Sequence, residues 1–226
     1  MQFSLSFYRT GAVCSIASAV TTLLLIFLPE LYAPVEGFDG RMSRYSDPMY
    51  VLRSWIYLLH PFLVLAAALA ISMRIRRRNS VAALIGLLGF LLWAFTEAAQ
   101  QTLTLFAFDE WRAAYAAADE SVRAQIRTNT LMYDGLWDAM YVLLLIGFAT
   151  GNLAFGLALS RAKGLTRTVG YFFLDAFALS LTNLSPELGG PALPDVLSFW
   201  LYPAIQPIGR ALIGVWLWKY ATDERG

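Results

Sequence analysis

Six long apolar runs take up most of this chain, at residues 11–33, 51–74, 80–107, 131–160, 168–185 and 197–219. Each approaches or exceeds the roughly 17–25 residues that a helix needs to span about 30 Å of hydrocarbon. In lipid every backbone polar group must be bonded internally, so such runs are helices or strands of a closed barrel. Barrel strands alternate apolar and polar residues over about ten positions. Continuous runs such as "VLLLIGFATGNLAFGLAL" do not. The expected fold is therefore all-α, a polytopic six-helix transmembrane bundle. Only short connections remain, so residues 1–226 read as a single membrane domain. Composition agrees, with 58% apolar and 15% charged residues, against about 45–50% and 25% in soluble domains.

The first run is long for a signal peptide and no A-x-A site closes it, so it reads as helix one. Cys14 is the only cysteine. It excludes an intrachain disulfide and argues against a thiolate metal cluster.

The basic residues set an orientation. Arg74, Arg76, Arg77 and Arg78 join runs two and three, and Arg161, Lys163 and Arg167 join runs four and five. Arg9 precedes run one, while Lys219 and Arg225 close or follow run six. The opposite side holds only the scattered Arg41, Arg44, Arg53, Arg112, Arg123 and Arg127. The clustered side is expected to be cytoplasmic, which places both termini inside. Aromatic residues such as Tyr45, Trp55, Trp111, Tyr133 and Trp200 fall near the expected interfaces, as a belt would.

Between runs three and four lies "DEWRAAYAAADESVRAQIRTNT" (109–130). Trp111, Tyr115, Ala118, Val122 and Ile126 recur at three- and four-residue spacing, which predicts one or two amphipathic helices lying at the outer interface. Asp109 is a candidate cap for its start. The segment reads as a linker or as a lid over an outward site.

Ionisable groups within membrane helices cost about 2.5–3.5 kcal/mol each near the centre and mark candidate sites. At 1.5 Å rise per residue, His60, Glu97 and Gln206 lie at matching depth in the outer half. Asp138 lies about a turn shallower and Asp134 one turn further out. Arg53 and Tyr57 share a face with His60. Trp93 lies one turn inward of Glu97, and Gln100, Gln101 and Thr104 extend that face outward. Tyr202 lies one turn outward of Gln206. Pro61 frees the carbonyl of Tyr57, and Pro203 and Pro207 bracket Gln206. Four helices thus offer polar groups to one outward-facing pocket. Asp175 and Arg210, lower in runs five and six, are expected to form a structural ion pair. Gly147 and Gly151 make a G-x-x-x-G, and with Gly156 they mark run four for close packing.

Two readings of the polar cluster stand beside plain helix packing. It binds a ligand or proton, or it does acid–base chemistry with Glu97 as acid and His60 or Asp138 as partner. His60, Glu97 and Asp138 could also hold zinc, but nothing in their pattern indicates it, and no metal or other cofactor is implied. Hydrolase, nucleotide-binding and Walker motifs are absent.

Three stretches carry a resemblance: "GNLAFGLALSRAKGLTRTVGYFF" (151–173), "LYPAIQPIGRALIGVWLWK" (201–219) and "FTEAAQQTL" (95–103). Together they resemble an uncharacterised bacterial family of six-helix membrane proteins of about this length. Run six departs from it by carrying Gln206 and Arg210 where a Glu is expected nearby. The resemblance implies six helices and the bacterial cytoplasmic membrane, and it implies no activity. The expected partners are membrane lipids and a small hydrophobic ligand, not nucleic acid. Homo- and hetero-oligomers both remain open, as does a role as a structural subunit.

Overall fold

The computed structural model describes residues 4–191, 194 and 202–223, all of it helix, turn or coil. Its long helices are α1 (Leu5–Phe27), α3 (Pro48–Ile75), α4 (Ser80–Leu103), α6 (Glu120–Ser160), α7 (Gly164–Glu187) and α8 (Tyr202–Asp223). Two short ones, α2 (Gly37–Ser43) and α5 (Asp109–Ala117), lie in the connections. Tyr202 begins α8, but its side chain, like Trp200 and the start of the sixth run, lies outside the described residues.

Local chemistry sets the boundaries. Helix α1 starts six residues before the first apolar run because the Ser4 hydroxyl accepts from the Phe7 amide at 3.4 Å, an N-cap. Asn79 caps α4 the same way, accepting from Ala82 at 3.0 Å. Asp47 caps α3, taking the Met49 amide at 2.8 Å and the Tyr50 amide at 3.2 Å. It also accepts the Ala33 amide at 2.8 Å, pinning the incoming loop. These three amides hold the Asp47 carboxyl below its usual range, Ala33 contributing most.

The packing order is a closed ring. Helix α1 packs on α3, α3 on α4, α4 on α6, α6 on α7 and α7 on α8, and α8 closes against α1. Four stretches are long and apolar enough to cross a membrane: Leu5–Leu31, Pro48–Ile75, Ser80–Ala117 and Glu120–Ser160. Their outer faces agree, with Leu59 61%, Leu84 59% and Phe95 58% exposed; apolar surface on that scale needs an apolar surrounding.

Glycines let α4 and α6 approach to backbone contact. A Cβ on Gly147 would lie 2.8 Å from the Trp93 nitrogen and 2.9 Å from the Gly89 oxygen. One on Gly151 would lie 2.7 Å from the Phe90 ring. The G-x-x-x-G pair thus sits in this crossing, while Gly156 packs against Leu174 of α7. Beside the crossing, Phe90 stacks on Phe155 at 5.5 Å and meets Phe173 and Phe148 edge-on at 6.3 and 5.9 Å. This aromatic core fills the end of the ring that carries the α3–α4 and α6–α7 turns. Trp216 ties α8 to it, donating its indole N–H to Thr166 at 3.0 Å.

The segment 109–130 differs from the expectation. Asp109 caps nothing: a π-helical turn, Thr104–Phe108, carries α4 directly into α5, and Asp109 instead pairs with Arg112 at 2.8 Å. The break comes at Ala118, and Asp119 caps the next helix by accepting from Val122 at 3.0 Å. That helix then runs unbroken for 41 residues. At 1.5 Å per residue it is about 60 Å long, twice a bilayer core. Its first turns therefore extend the fourth run well beyond the apolar region instead of lying flat. With α2 and α5 they build a small second core from Met42, Phe108, Tyr115 and Ile126. Tyr115 donates to Asp39 at 2.6 Å, and Arg41 grips Asp134 through both guanidinium nitrogens at 2.9 and 2.5 Å. The Asp134 hydrogen bonds raise the Arg41 pKa above its ordinary value, against the opposing effect of burial.

Candidate ligand chamber

A chamber of about 990 Å³ lies inside the ring, at the end where α2 and α5 sit. That is the upper end of the roughly 300–1,000 Å³ range of small-molecule sites. Its walls include His60, Glu97, Gln100, Asp138 and Gln206, and also Arg53, Tyr57, Trp93, Gln101 and Asp134. The sequence-derived site residues thus meet around one space, Arg210 among them, apart from Asp175 and from Tyr202, whose side chain lies outside the described residues.

Proline shapes three of the walls. A proline lacks the amide that would bond the carbonyl four residues earlier. Pro29, Pro61 and Pro207 therefore free the carbonyls of Leu25, Tyr57 and Pro203, and all three of these residues line the chamber. Arg53 fills one vacancy: its Nε donates to the Leu25 carbonyl at 3.0 Å. Its guanidinium also lies 4.7 Å from the centre of the Tyr57 ring, with Nη2 donating to the Tyr57 hydroxyl at 3.4 Å. Among the described residues no carboxylate lies within ion-pair distance of Arg53.

His60 is 4% exposed, and its partner is Thr21 on α1, with Nδ1 and the threonine oxygen 2.7 Å apart. Its ring meets Trp93 edge-on at 6.2 Å. The direct Glu97–His60 hydrogen bond that an acid–base dyad would use is not formed. Glu97 is 9% exposed, and Gln101 lies one turn further along α4 on the wall of the same chamber. Arg210 and Arg53 act on Glu97 through space, yet among the described residues neither forms an ion pair with it. Asp138 is exposed within the open part of the chamber, and Asp134 is engaged by Arg41.

Gln100 has no solvent exposure at all. Its Nε2 donates to the Trp137 carbonyl of α6 at 2.9 Å, while its Oε1 has no partner among the described residues. The Nε2 of Gln206 is likewise buried and unpartnered. Unsatisfied buried polar atoms cost about 1–3 kcal/mol each, so two of them in residues that border one chamber require an explanation.

The Asp175–Arg210 ion pair is a correction. Asp175 is exposed on α7 and pairs with no cation among the described residues. Helix α7 buries Val169, Phe173, Ala176 and Ser180 instead, a stripe from which Asp175 is rotated away. Arg210 points inward, its guanidinium 5.8 Å from the Trp93 ring centre. It lines both the chamber and a narrower apolar slot below, bounded by Ile71, Phe90, Phe173 and Ile213. Gln206 and Phe148 also border both spaces, so these three residues stand between them.

Sequence reasoning missed Arg41, Arg112 and Thr21. Arg112 is 4% exposed, reaching the Tyr50 hydroxyl at 2.7 Å beside its Asp109 pair. The i, i+3 spacing of Asp109 and Arg112 was the available signal. No sequence signal pointed to Thr21. Among the described residues no three His, Cys, Asp or Glu side chains converge on a common point suited to a metal ion. No family model, curated protein or solved structure matches the chain.

Proposed function

We propose that this is a six-span, N-in/C-in protein of a bacterial cytoplasmic membrane that binds a small apolar or lipid-like molecule in the chamber on its outer side. One observation carries the reading: Gln100 and Gln206 border one chamber, and each holds a buried polar atom with no partner among the described residues, Oε1 and Nε2 respectively. A folded protein keeps such atoms unsatisfied at a cost, and a guest offering hydrogen bonds removes it. The ring order supports six crossings, because each long helix neighbours the next and the last closes on the first.

The binding test is extraction. The protein is purified in detergent, washed free of bulk lipid, and the retained small molecules are measured by mass spectrometry for wild type and Glu97→Gln. Retention of a defined amphiphile by wild type, reduced in the variant, supports the reading. A stable Glu97→Gln protein that retains everything wild type retains ends it. The topology is tested by single cysteines at Ser80 and Ser185 in a Cys14→Ala background. Six spans require them to label from opposite sides.

A further inference from the structure

We infer that the end of the ring opposite the chamber is a docking surface for anionic phospholipid, with the phosphate taken by the cations of the α3–α4 and α6–α7 turns and a chain lying along the outer face of α4. This goes beyond the proposed chamber ligand and does not rest on it. Charge, placement and the adjoining apolar face carry it.

Arg77, Arg78, Arg161, Lys163 and Arg167 are all exposed, and none of them forms an ion pair among the described residues. No Asp or Glu occurs between Asp47 and Glu97, or between Asp138 and Asp175, so neither turn has a counter-charge of its own. Other cations at this end serve packing: Arg9 lies over the Trp218 ring and Arg74 over that of Tyr220. The two turns are neighbours. Gly86 of α4 lies against the Phe155 ring of α6, each a few residues in from its turn, and Gly170 of α7 lies against the Ser160 backbone where α6 ends. Packed helices stand about 8–10 Å apart, so both turns present their charge to one patch of the membrane surface. Like charges held together repel, and phosphate oxygens accept from guanidinium and ammonium alike. Basic clusters directly beside membrane helices draw anionic headgroups for this reason. The surface next to the charge makes the partner a lipid and not a soluble polyanion. Helix α4 begins at Ser80, just past the first basic turn, and exposes Val81, Leu84, Leu88, Leu92 and Phe95 along one side. That stripe runs for about 20 Å, enough to follow a chain through one leaflet, half of a hydrocarbon core about 30 Å thick. A soluble polyanion would answer the cations and leave the stripe bare. A phospholipid answers both at once.

The test uses the full-length protein in phosphatidylcholine vesicles carrying a trace of spin-labelled phosphatidylglycerol or spin-labelled phosphatidylcholine. Electron spin resonance gives the fraction of each label held at the protein. Phosphatidylglycerol is expected to associate about fivefold more strongly, the ratio that one cation at a membrane surface supplies. The preference should fall close to one in Arg77→Gln/Arg78→Gln/Lys163→Gln. It should fall likewise on wild type in about 1 M NaCl, where the Debye length is about 3 Å. Glu97→Gln, on the chamber wall, should leave it unchanged. Absence of any preference in wild type, or a preference that the triple variant keeps, overturns the docking surface. A preference lost in Glu97→Gln and kept in the triple variant belongs to the chamber; it overturns this inference and leaves the chamber reading standing. Glycerophosphoglycerol, the same headgroup without chains, should not displace the label at the labelled lipid's own concentration. Displacement by it means that the stripe plays no part, and the lipid assignment falls. Should the triple variant fail to insert, the salt arm on wild type decides: a preference undiminished at about 1 M NaCl refutes the basic surface.

Discussion

Replacing Gln100 with methionine should stabilise the empty protein while weakening its hold on a guest. The side chain is fully buried, with Nε2 on the Trp137 carbonyl at 2.9 Å and Oε1 on nothing. Methionine is close in length and adapts to irregular gaps, so little cavity or strain is created. The change gives up one hydrogen bond, worth about 0.5–1.5 kcal/mol net, and removes an unsatisfied buried acceptor costing about 1–3 kcal/mol. The Trp137 carbonyl keeps its own helical bond from the amide four residues on. The balance favours the variant by about 1 kcal/mol, or roughly 2–4 °C in melting temperature for a chain of this size. Thermal unfolding of lipid-stripped protein, followed by tryptophan fluorescence, reads this directly. Adding lipid should raise wild type more than the variant, since stabilisation follows affinity by mass action, so the order of the two melting temperatures reverses. A stripped Gln100→Met protein that melts clearly below wild type would mean that Oε1 is satisfied, and the case for a missing guest would fall.

The α4–α6 crossing predicts a contrast between two glycines. Gly89→Ala puts a Cβ 2.7 Å from the Gly147 oxygen, between backbone atoms that cannot swing aside, and should cost about 1–3 kcal/mol; Gly135→Ala, with nothing within 4 Å, should be neutral or gain up to about 1 kcal/mol in the same unfolding assay. The Asp47 cap predicts an acid-side effect. Its carboxyl is held below the usual range, so its contribution is complete above the unfolded value of about 3.9 and is lost as pH falls through the folded value; Asp47→Asn should flatten the fall of melting temperature across that acid window and leave the neutral-pH slope unchanged. The Arg41–Asp134 clasp is 41% exposed on the arginine side and 35% on the aspartate side, so Asp134→Asn should change global stability by less than about 1 kcal/mol; hydrogen exchange of the α2 amides should nonetheless quicken several-fold, because this clasp ties α2 to α6.

Depth along a helix was readable from the sequence, and azimuth was readable only where burial wrote a pattern. A fixed rise per residue turns position into depth, which is why His60, Glu97 and Gln206 could be placed level from counting alone; all three border one chamber. Which group faces which depends on the order of helices around the ring, and no residue in α3 announces that α1 is its neighbour. Hence Thr21, not Glu97, partners His60. For Asp175 the pattern was present. Val169, Phe173, Ala176 and Ser180 follow a four-three-four spacing, and Asp175 stands about 100° off that stripe, so adjacency of α7 and α8 alone could not bring it to Arg210. The start of α6 was also encoded, by Asp119 three residues before the amide it accepts. It was hidden because the apolar run that flags the helix begins eleven residues after the helix itself.

The prolines join these strands into one account of why the chamber is where it is. Pro61 and Pro207 lie inside α3 and α8 and break their hydrogen-bond ladders, and Pro29 closes the end of α1, each leaving open the carbonyl of a residue that borders the same space. Broken ladders are tolerated in lipid only where protein or a polar cavity answers the freed carbonyl. Arg53 answers Leu25, which accounts for a cation at the chamber end of α3 with no carboxylate in ion-pair contact among the described residues. Pro61 and Pro207 withhold the amides that Tyr57 and Pro203 would accept, and Gln100 Oε1 stands open at the same end of the ring. A bundle selected for stability alone would close such positions with leucine and alanine, as the opposite end of this ring does with Ala12, Ala70, Ile75 and Leu217. The polar end keeps its open acceptors together in one place. That grouping is what a bound donor requires and what random polar substitution would not produce.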